Sequence, residues 1–175
     1  MWIDIKMAYE AGGKIARAYN RAMESTTAEW VLFLDHDLFI CNRHWYDMSL
    51  EAIKQVGGDA GWITAVTNRI GAPQQRCKDA PESHDLREHF DYAKQRYLKY
   101  GRNVMRVPGA LSGFFILTNK TVWSKAGGFN EKRGGLLGVD NDYSRAVQQA
   151  GYKLYIIPGL YFYHLYRQKK KFMRW

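Results

Sequence analysis

Two aspartates separated by one residue, Asp35 and Asp37, directly follow a short apolar run, and their type and spacing suit the binding of a metal ion. The run, Trp30 to Leu34, has the aromatic and β-branched content of a buried strand and is too short for a membrane span. In extended backbone, residues i and i+2 project to one face with their Cα atoms about 6.6 Å apart. Both carboxylates could therefore serve one divalent cation, or a cation and a ribose hydroxyl. The same two residues also suit a turn or a helix cap after a core strand.

A second carboxylate pair with the same spacing, Asp140 and Asp142, stands at the start of a late helical pattern, and His164 ends the last apolar segment. Together these side chains offer oxygen and imidazole ligands plus a spare carboxylate. Such a set suits metal-bound diphosphate chemistry, in which a cation screens the phosphates and a further carboxylate takes a proton from the nucleophile. Arginines on predicted loops could add charge for a leaving group: Arg69, Arg76 and Arg133. Taken singly, each aspartate pair also fits a helix cap, and the histidine fits a structural role.

The chain has 175 residues, 46% of them hydrophobic, and a formal net charge of +9. This length predicts one domain with a substantial core, over residues 1–166, followed by a basic and aromatic tail over residues 167–175. The charge favours a polyanionic partner, and the tail could lie on a membrane surface or be solvated. No recognised nucleic-acid-binding motif is present, so no nucleic acid is expected. Without a secretion signal, a spanning segment or paired cysteine motifs around Cys41 and Cys77, we expect a cytoplasmic protein with reduced thiols.

Helical and strand patterns alternate along the chain, which predicts an α/β/α sandwich with a mostly parallel, Rossmann-like central sheet. The predicted strands cover residues 30–34, 60–66, 103–107, 111–117, 153–157 and 160–164. The predicted helices begin near Gly13, Asn42, Ser83, Thr121 and Asp140. Residues 67–82 form a polar, basic loop of a length that is often functional. Pro158 and Gly159 predict a turn between the last two strands.

The predicted helix from Ser83 to Tyr100 has the clearest periodicity in the chain. Its expected buried stripe consists of Leu86, Phe90, Ala93, Tyr97 and Tyr100. His84 and His89 lie off that stripe, which predicts two surface histidines. Gly113 lies inside a predicted strand, where glycine often marks the close approach of a ligand or of other backbone.

A set of motifs in this order resembles the family 2 glycosyltransferases of the GT-A fold and the related galactosyl- and N-acetylgalactosaminyltransferases. The motifs are Leu34-Asp35-His36-Asp37, Leu111 to Leu117, Gly127-Gly128-Phe129-Asn130, Gly138 to Arg145, Ala150-Gly151-Tyr152 and Tyr163-His164. The resemblance implies a GT-A-like fold and an enzyme that moves a sugar from a nucleotide-diphosphate sugar, with UDP-sugars favoured, to an acceptor hydroxyl with inversion. The implied acceptor is a glycan, a lipid-linked molecule or a protein.

The resemblance also implies roles for individual residues. Asp35 and Asp37 would be the Asp-X-Asp pair that holds the nucleotide-sugar through Mn²⁺ or Mg²⁺, with Asp37 as a direct ligand and His164 as a further ligand. Asp140 falls where such enzymes place the base that deprotonates the acceptor. The resemblance places Asn20, Gly113 and Gly128 at the donor and acceptor. Arg69, a basic residue of the predicted loop, is a further candidate at the donor.

The chain departs from the family pattern in two places. Val139 stands where family members carry Glu, which leaves open whether Asp140 or Asp142 is the base. Most of the strand and loop that bind the nucleotide base in the family would precede this chain, and Met1 to Lys6 are expected to be a remnant of that unit. Two other hypotheses follow: a catalytically impaired GT-A-like binding or assembly module, and a basic nucleic-acid-binding protein.

Overall fold

The structure of the chain, a computed structural model, describes residues 1–10, 12–133 and 137–165. Within these ranges the strands are β1 (Ile3–Lys6), β2 (Trp30–Leu34), β3 (Leu38–Ile40), β4 (Ala60–Thr67), β5 (Met105–Val107), β6 (Phe115–Asn119) and β7 (Lys153–His164). The α-helices are α1 (Ile15–Ser25), α2 (Trp45–Val56), α3 (Leu86–Tyr100), α4 (Lys120–Lys125) and α5 (Val139–Gln149). The predicted tail, residues 167–175, lies outside the described ranges. None of the helices in these ranges is long and apolar enough to cross a membrane.

The described strands form one sheet in the order β1-β2-β6-β4-β7-β3, and β5 pairs with the first half of β7. Four of these seven strands, β1, β2, β4 and β7, run in the same direction, and the other three run antiparallel to them. Parallel ladders join β1 to β2 and β4 to β7, whereas β6 enters antiparallel between β2 and β4. The predicted single-domain α/β class is therefore confirmed, with a sheet of mixed pairing.

Helices cover both faces of the sheet because alternate residues of a strand project to opposite sides. In β2, Trp30 and Leu32 pack in the core layer that α2 closes, whereas Val31 and Phe33 pack in the layer closed by α1 and α5. A third cluster lies between α3 and the second half of β7, where Tyr161 is fully buried. Continuous apolar strands such as β2 are expected when both faces of a sheet are covered.

A close approach fixes α5, which carries the second carboxylate pair, against the sheet. A Cβ atom on Gly61 in β4 would lie 2.1 Å from Val147 Cγ1 and 2.8 Å from Tyr152 Cβ. On the same helix, the Tyr143 hydroxyl lies 3.0 Å from the Thr118 hydroxyl of β6. Glycine at position 61 thus lets α5 sit directly on β4.

Three predicted element boundaries are wrong. Strand β6 begins at Phe115 and leaves Gly113 outside it. Pro158 and Gly159 lie within β7, where β4 advances two residues between Thr64 and Val66 while β7 advances five between their partners. Proline has no N–H to donate, and Pro158 lies where the β4–β7 ladder is interrupted. A Cβ on Gly159 would lie 2.1 Å from the Gly101 carbonyl oxygen. Helix α2 begins at Trp45, because Asn42 Oδ1 instead accepts the His44 N–H in the preceding turn.

The buried face of α3 also differs from the predicted stripe. His89, Tyr92 and Ala93 are its buried residues, while Phe90 is 48% exposed. His89 therefore lies in the core and the prediction of a surface position is wrong for it, whereas His84 is exposed as expected. The helix turns this face inward because Tyr161 and Tyr163 of β7 offer ring stacking and a hydroxyl to His89.

Candidate metal and catalytic site

The turn between β2 and β3 brings residues 35–37 beside the end of β7, 127 positions along the chain. Strand β3 pairs antiparallel with β7 so that Leu38 lies opposite His164. Two backbone bonds hold the turn: the Asp35 N–H donates to the Phe114 carbonyl at 3.1 Å, and the Leu165 N–H donates to the Asp37 carbonyl at 3.1 Å. His36, between the two aspartates, is exposed. The turn thus delivers two carboxylates to a buried histidine.

Asp35, Asp37 and His164 each direct one potential metal-ligand atom to a common point, and these atoms all lie within 4.8 Å of one another. His164 Nε2 lies 3.1 Å from Asp37 Oδ1 and 3.8 Å from Asp35 Oδ2. The three residues that the sequence resemblance implied as metal ligands are therefore adjacent in space.

The protonation of His164 follows from its second nitrogen. Its Nδ1 lies 3.1 Å from the Arg69 carbonyl oxygen, which can only accept, so Nδ1 carries the proton. Burial, as the largest cause, lowers the pKa of His164 and favours the neutral ring. The Nε2 lone pair then faces the carboxylate of Asp37, and two acceptors confront each other. A cation between them would turn that repulsion into attraction.

Burial also shifts the pKa of one of the two carboxylates. Burial, followed by the charge of Asp37, raises the pKa of Asp35 to about 7, although the side chain is 40% exposed. No lysine or arginine of the described ranges lines the cavity around these groups. The +9 chain thus contains an acidic pocket, which is a common electrostatic signature of a functional site.

The cavity has a volume of about 460 Å³, and Asp140 stands in its wall together with Asp35, Asp37 and His164. Asp140 lies in the first turn of α5, which begins after Gly138, a residue with φ of 82°. Asp140 Oδ2 accepts the Gly113 N–H at 3.0 Å, and Oδ1 accepts the Asn141 N–H at 2.8 Å. The two bonds fix the carboxylate at the cavity wall.

Asp142, the other candidate base, is placed differently. Arg133 binds its carboxylate at both oxygens, with Nε 2.5 Å from Oδ2 and Nη2 2.9 Å from Oδ1. Asn130 donates a further bond at 3.2 Å. These bonds lower the pKa of Asp142, with the Arg133 hydrogen bonds as the largest cause. Asp142 does not appear among the residues that line the cavity.

The residues implied at the donor and acceptor are divided between the cavity and its surroundings. Gly113 lines the cavity, and a Cβ there would lie 3.3 Å from Asp140 Cβ. The Arg69 carbonyl accepts a hydrogen bond from His164 Nδ1. The residue is exposed and does not line the cavity. Asn20 and Gly128 also lie outside the lining. Their placement at a substrate stays a prediction.

Asn20 instead ties α1 to the segment after α4. Its Oδ1 accepts from the Phe129 N–H at 2.8 Å and from Trp123 Nε1 at 3.0 Å. Its Nδ2 donates to the Phe129 carbonyl at 2.9 Å and to Glu131 at 2.8 Å. Gly128, with φ of 74°, passes so close that a Cβ there would lie 3.0 Å from Asn20 Oδ1.

Tyr19 is a cavity residue that the sequence patterns did not single out. Its ring is buried against Phe33 and Phe129, with centroid distances of 4.7 Å and 4.6 Å. Burial raises its pKa well above the usual range, and the charges of Asp35 and Asp140 add to that shift. The hydroxyl therefore stays protonated and can donate a hydrogen bond. In the sequence Tyr19 looks like any apolar-face residue of an amphipathic helix, so periodicity alone could not distinguish it.

No protein-family model and no curated protein matches the chain. Among solved structures, the chain is similar to the crystal structure of GalNAc-T7 with UDP, GalNAc and Mn²⁺, with a TM-score of 0.62 and 13% sequence identity. The likeness covers 92% of this chain and 32% of the GalNAc-T7 chain, so this chain spans about a third of that one. At this level of identity the likeness is one of fold, and it supports the GT-A-like fold that the motifs implied.

Proposed function

We propose that this chain is a metal-dependent glycosyltransferase domain that transfers a sugar from a nucleotide-diphosphate sugar to an acceptor hydroxyl. The observation that carries the proposal is the convergence of Asp35, Asp37 and His164 on one cavity that Asp140 also lines. The likeness in fold to GalNAc-T7, whose crystal structure holds UDP, GalNAc and Mn²⁺, supports a UDP-sugar as the first donor class to test.

The donor atoms at the cluster fit Mn²⁺, with Mg²⁺ as the alternative. Carboxylates suit both ions, and a neutral imidazole adds a nitrogen that Mn²⁺ accepts. His164 already has the arrangement usual for a ligating histidine, since its other ring N–H points at a backbone carbonyl. Asp35, Asp37 and His164 would hold the ion, which supplies positive charge against the diphosphate.

Asp140 is the proposed general base. Gly113 and Asn141 orient its carboxylate, and each oxygen keeps a further lone pair for the acceptor hydroxyl. As the acceptor oxygen bonds to the anomeric carbon, its proton passes to Asp140 and the bond from that carbon to the diphosphate oxygen breaks. Attack from the face opposite the leaving group gives inversion. Asp142 is less suited to this role because Arg133 occupies both of its oxygens.

Turnover of a panel of UDP-sugars with Mn²⁺, followed by the release of UDP, tests the proposal. Asp140→Asn should keep donor binding within about threefold and lower kcat by about a thousandfold, the scale of general-base catalysis. Asp142→Asn is the matched control, and it should keep most of the wild-type kcat.

Three outcomes separate the hypotheses. Absence of binding of any common nucleotide-sugar, with and without metal, would contradict the proposed function. An active Asp140→Asn variant would remove Asp140 as the base but leave the metal site intact. Mn²⁺-dependent binding without turnover of any donor would favour the binding or assembly module over the enzyme.

A further inference from the structure

Residues 111–114 connect the two halves of the candidate site, although they belong to no strand. The Gly113 N–H donates to Asp140 at 3.0 Å. The carbonyl of the next residue, Phe114, accepts the Asp35 N–H at 3.1 Å. Adjacent residues of one short segment therefore contact the proposed base and a proposed metal ligand. Whatever fixes this segment sets the spacing between Asp140 and Asp35.

Gln75 holds the middle of that segment. It is fully buried in a one-turn 3₁₀ helix of the long loop that follows β4. Its Oε1 accepts the Ser112 N–H at 2.7 Å, and its Nε2 donates to the Ser112 carbonyl at 3.0 Å. One side-chain amide thus bonds both backbone groups of Ser112, as a neighbouring strand would.

The bonds around Gln75 permit one orientation of its amide. The Ser112 N–H requires the oxygen, and the Ser112 carbonyl requires the NH₂ group. The second N–H of that group donates to the Thr64 hydroxyl oxygen, with 2.8 Å between Nε2 and Oγ1. The Thr64 hydroxyl in turn donates to the Phe115 carbonyl at 2.9 Å. The amide is thus fully bonded and anchored to β4, the middle of the sheet.

The loop that carries Gln75 is bound to the segment in return. The Ala72 N–H donates to Ser112 Oγ at 3.0 Å. Ala72 and Gln75 therefore grip Ser112 from its side chain and from its backbone. Loop residues Ile70 and Gly71 line the cavity beside Ser112, so the same contacts place this wall of the cavity.

We propose that Gln75 is a positioning residue that sets the place of Asp140 relative to the metal cluster by holding Ser112, and its catalytic part rests on the proposed function. Gln75 does not line the cavity. It acts through Ser112 on the Gly113 N–H, which orients the base. Loss of its amide frees Ser112 and Gly113, misplaces Asp140 and slows proton transfer. Asp35 keeps its place because its bond to the Phe114 carbonyl continues the β2–β6 ladder, in which Leu34 lies opposite Phe115.

Gln75→Met tests this role, because methionine has a similar volume and lacks both bonds. Gln74→Met is the matched control, since Gln74 in the same loop donates to the Pro108 and Ala110 carbonyls at 3.2 Å and 2.7 Å, outside the segment. We expect Gln75→Met to lower kcat for UDP-sugar turnover by about a hundredfold, the cost of a small misplacement at a catalytic centre. Its affinity for Mn²⁺ should stay within about threefold of wild type, because the proposed ligands of the ion are Asp35, Asp37 and His164.

Amide hydrogen exchange of Gly113 provides a readout that does not depend on turnover. Gln75→Met should lower the protection factor of the Gly113 N–H at least about tenfold, and Gln74→Met should leave it unchanged. Equal protection of the Gly113 N–H in the two variants overturns the proposal. Equal kcat values of the two variants, when the wild type is an active enzyme, also overturn it. If the wild type turns over no donor, only the proposed function fails, and the Gly113 protection decides whether Gln75 positions the segment.

Gln75→Glu keeps the test valid if the methionine variant does not fold. As a carboxylate it still accepts the Ser112 N–H but repels the Ser112 carbonyl, whereas as a carboxylic acid it can donate to that carbonyl. Gly113 protection in this variant should therefore recover as the pH is lowered, with no such change in wild type. A protection factor that does not depend on pH in this variant contradicts the proposal.

Discussion

Two buried histidines, His89 and His164, have nearly the same exposure, 0% and 2%, and differ in what faces their second nitrogen. Each directs one nitrogen to a backbone carbonyl, of Ser83 in one case and of Arg69 in the other. The remaining nitrogen of His89 lies 2.8 Å from the Tyr161 hydroxyl, which can donate. That of His164 lies 3.1 Å from a carboxylate oxygen of Asp37, which cannot donate when ionised.

This difference separates a structural histidine from a candidate ligand. Around His89 each donor meets an acceptor, and the ring stacks on Tyr163 with a centroid distance of 3.8 Å. At His164, Nε2 faces an Asp37 carboxylate oxygen at 3.1 Å, and a cation between these two acceptors would be attracted by both. The first arrangement stabilises the fold, and the second suits the binding of a cation. Burial alone does not distinguish the two; the pairing of donors and acceptors does.

The largest expected effect comes from His164→Leu, which removes a proposed ligand and leaves the apolar packing. The affinity for Mn²⁺ should fall by about a thousandfold, roughly 4 kcal/mol, in calorimetric titrations. His89→Leu is the control and should bind Mn²⁺ like the wild type. Unchanged Mn²⁺ affinity in His164→Leu would erase the distinction between the two histidines.

The two histidine variants should rank in the opposite order when their stability is measured. His89→Leu leaves the buried Tyr161 hydroxyl and the Ser83 carbonyl without their partner, so the free energy of unfolding should drop by about 2–3 kcal/mol. Urea denaturation of the metal-free protein measures it. His164→Leu should cost less there, because the loss of the bond to the Arg69 carbonyl is offset by relief of the contact between Nε2 and the Asp37 carboxylate. A larger loss for His164→Leu would assign His164 a mainly structural role.

A moderate effect is expected from Asp35→Asn in the absence of metal. The pKa of Asp35 is raised to about 7, above the ordinary value of 3.8 expected in the unfolded chain. A raised carboxyl pKa means that the folded state binds the proton more tightly, so the stability of the wild type should increase as the pH falls from about 7 towards 3.8. With EDTA present, Asp35→Asn should therefore melt a few degrees higher than wild type at pH 8, and this difference should narrow steadily as the pH falls towards about 4. A variant that is less stable than wild type at pH 8 would refute this account of the cluster.

The smallest effect is expected next to His89 on α3. Phe90 belongs to the stripe predicted from periodicity, yet it is 48% exposed. Phe90→Gln should change the free energy of unfolding by less than about 0.5 kcal/mol, as is usual for exposed positions. A loss above 2 kcal/mol would restore the predicted stripe and weaken the assignment of His89 to the core.

The sequence was informative where chemistry and local pattern coincide. The apolar run before Asp35 and the i, i+2 spacing predicted that the side chains of Asp35 and Asp37 share a face. That His164 and Asp140 belong to the same site was implied by the order of motifs that resembles the glycosyltransferases. Periodicity could not show that a polar histidine occupies the core, since the tyrosine that satisfies it is 72 positions away.

Gln75 was equally hidden in the sequence. A glutamine in a polar loop carries no periodic signal, and its role depends on the backbone of Ser112, 37 positions away. The start of β6 was mispredicted for a related reason. Leu111 and the apolar residues 114–117 suggest one continuous strand, but side chains of Gln75, Asp140 and Ser144 bind the N–H groups of residues 111–113 in place of a neighbouring strand.

The most direct test of the metal site is a calorimetric titration of Mn²⁺, in the presence of UDP, into the wild type and Asp37→Ala, with Asp142→Ala as a control outside the cavity. The site predicts saturable binding of one ion to the wild type and to the control, and an affinity at least about a hundredfold weaker in Asp37→Ala. Equal Mn²⁺ binding by all three proteins, or none by the wild type, would contradict the assignment of Asp35, Asp37 and His164 as a metal site.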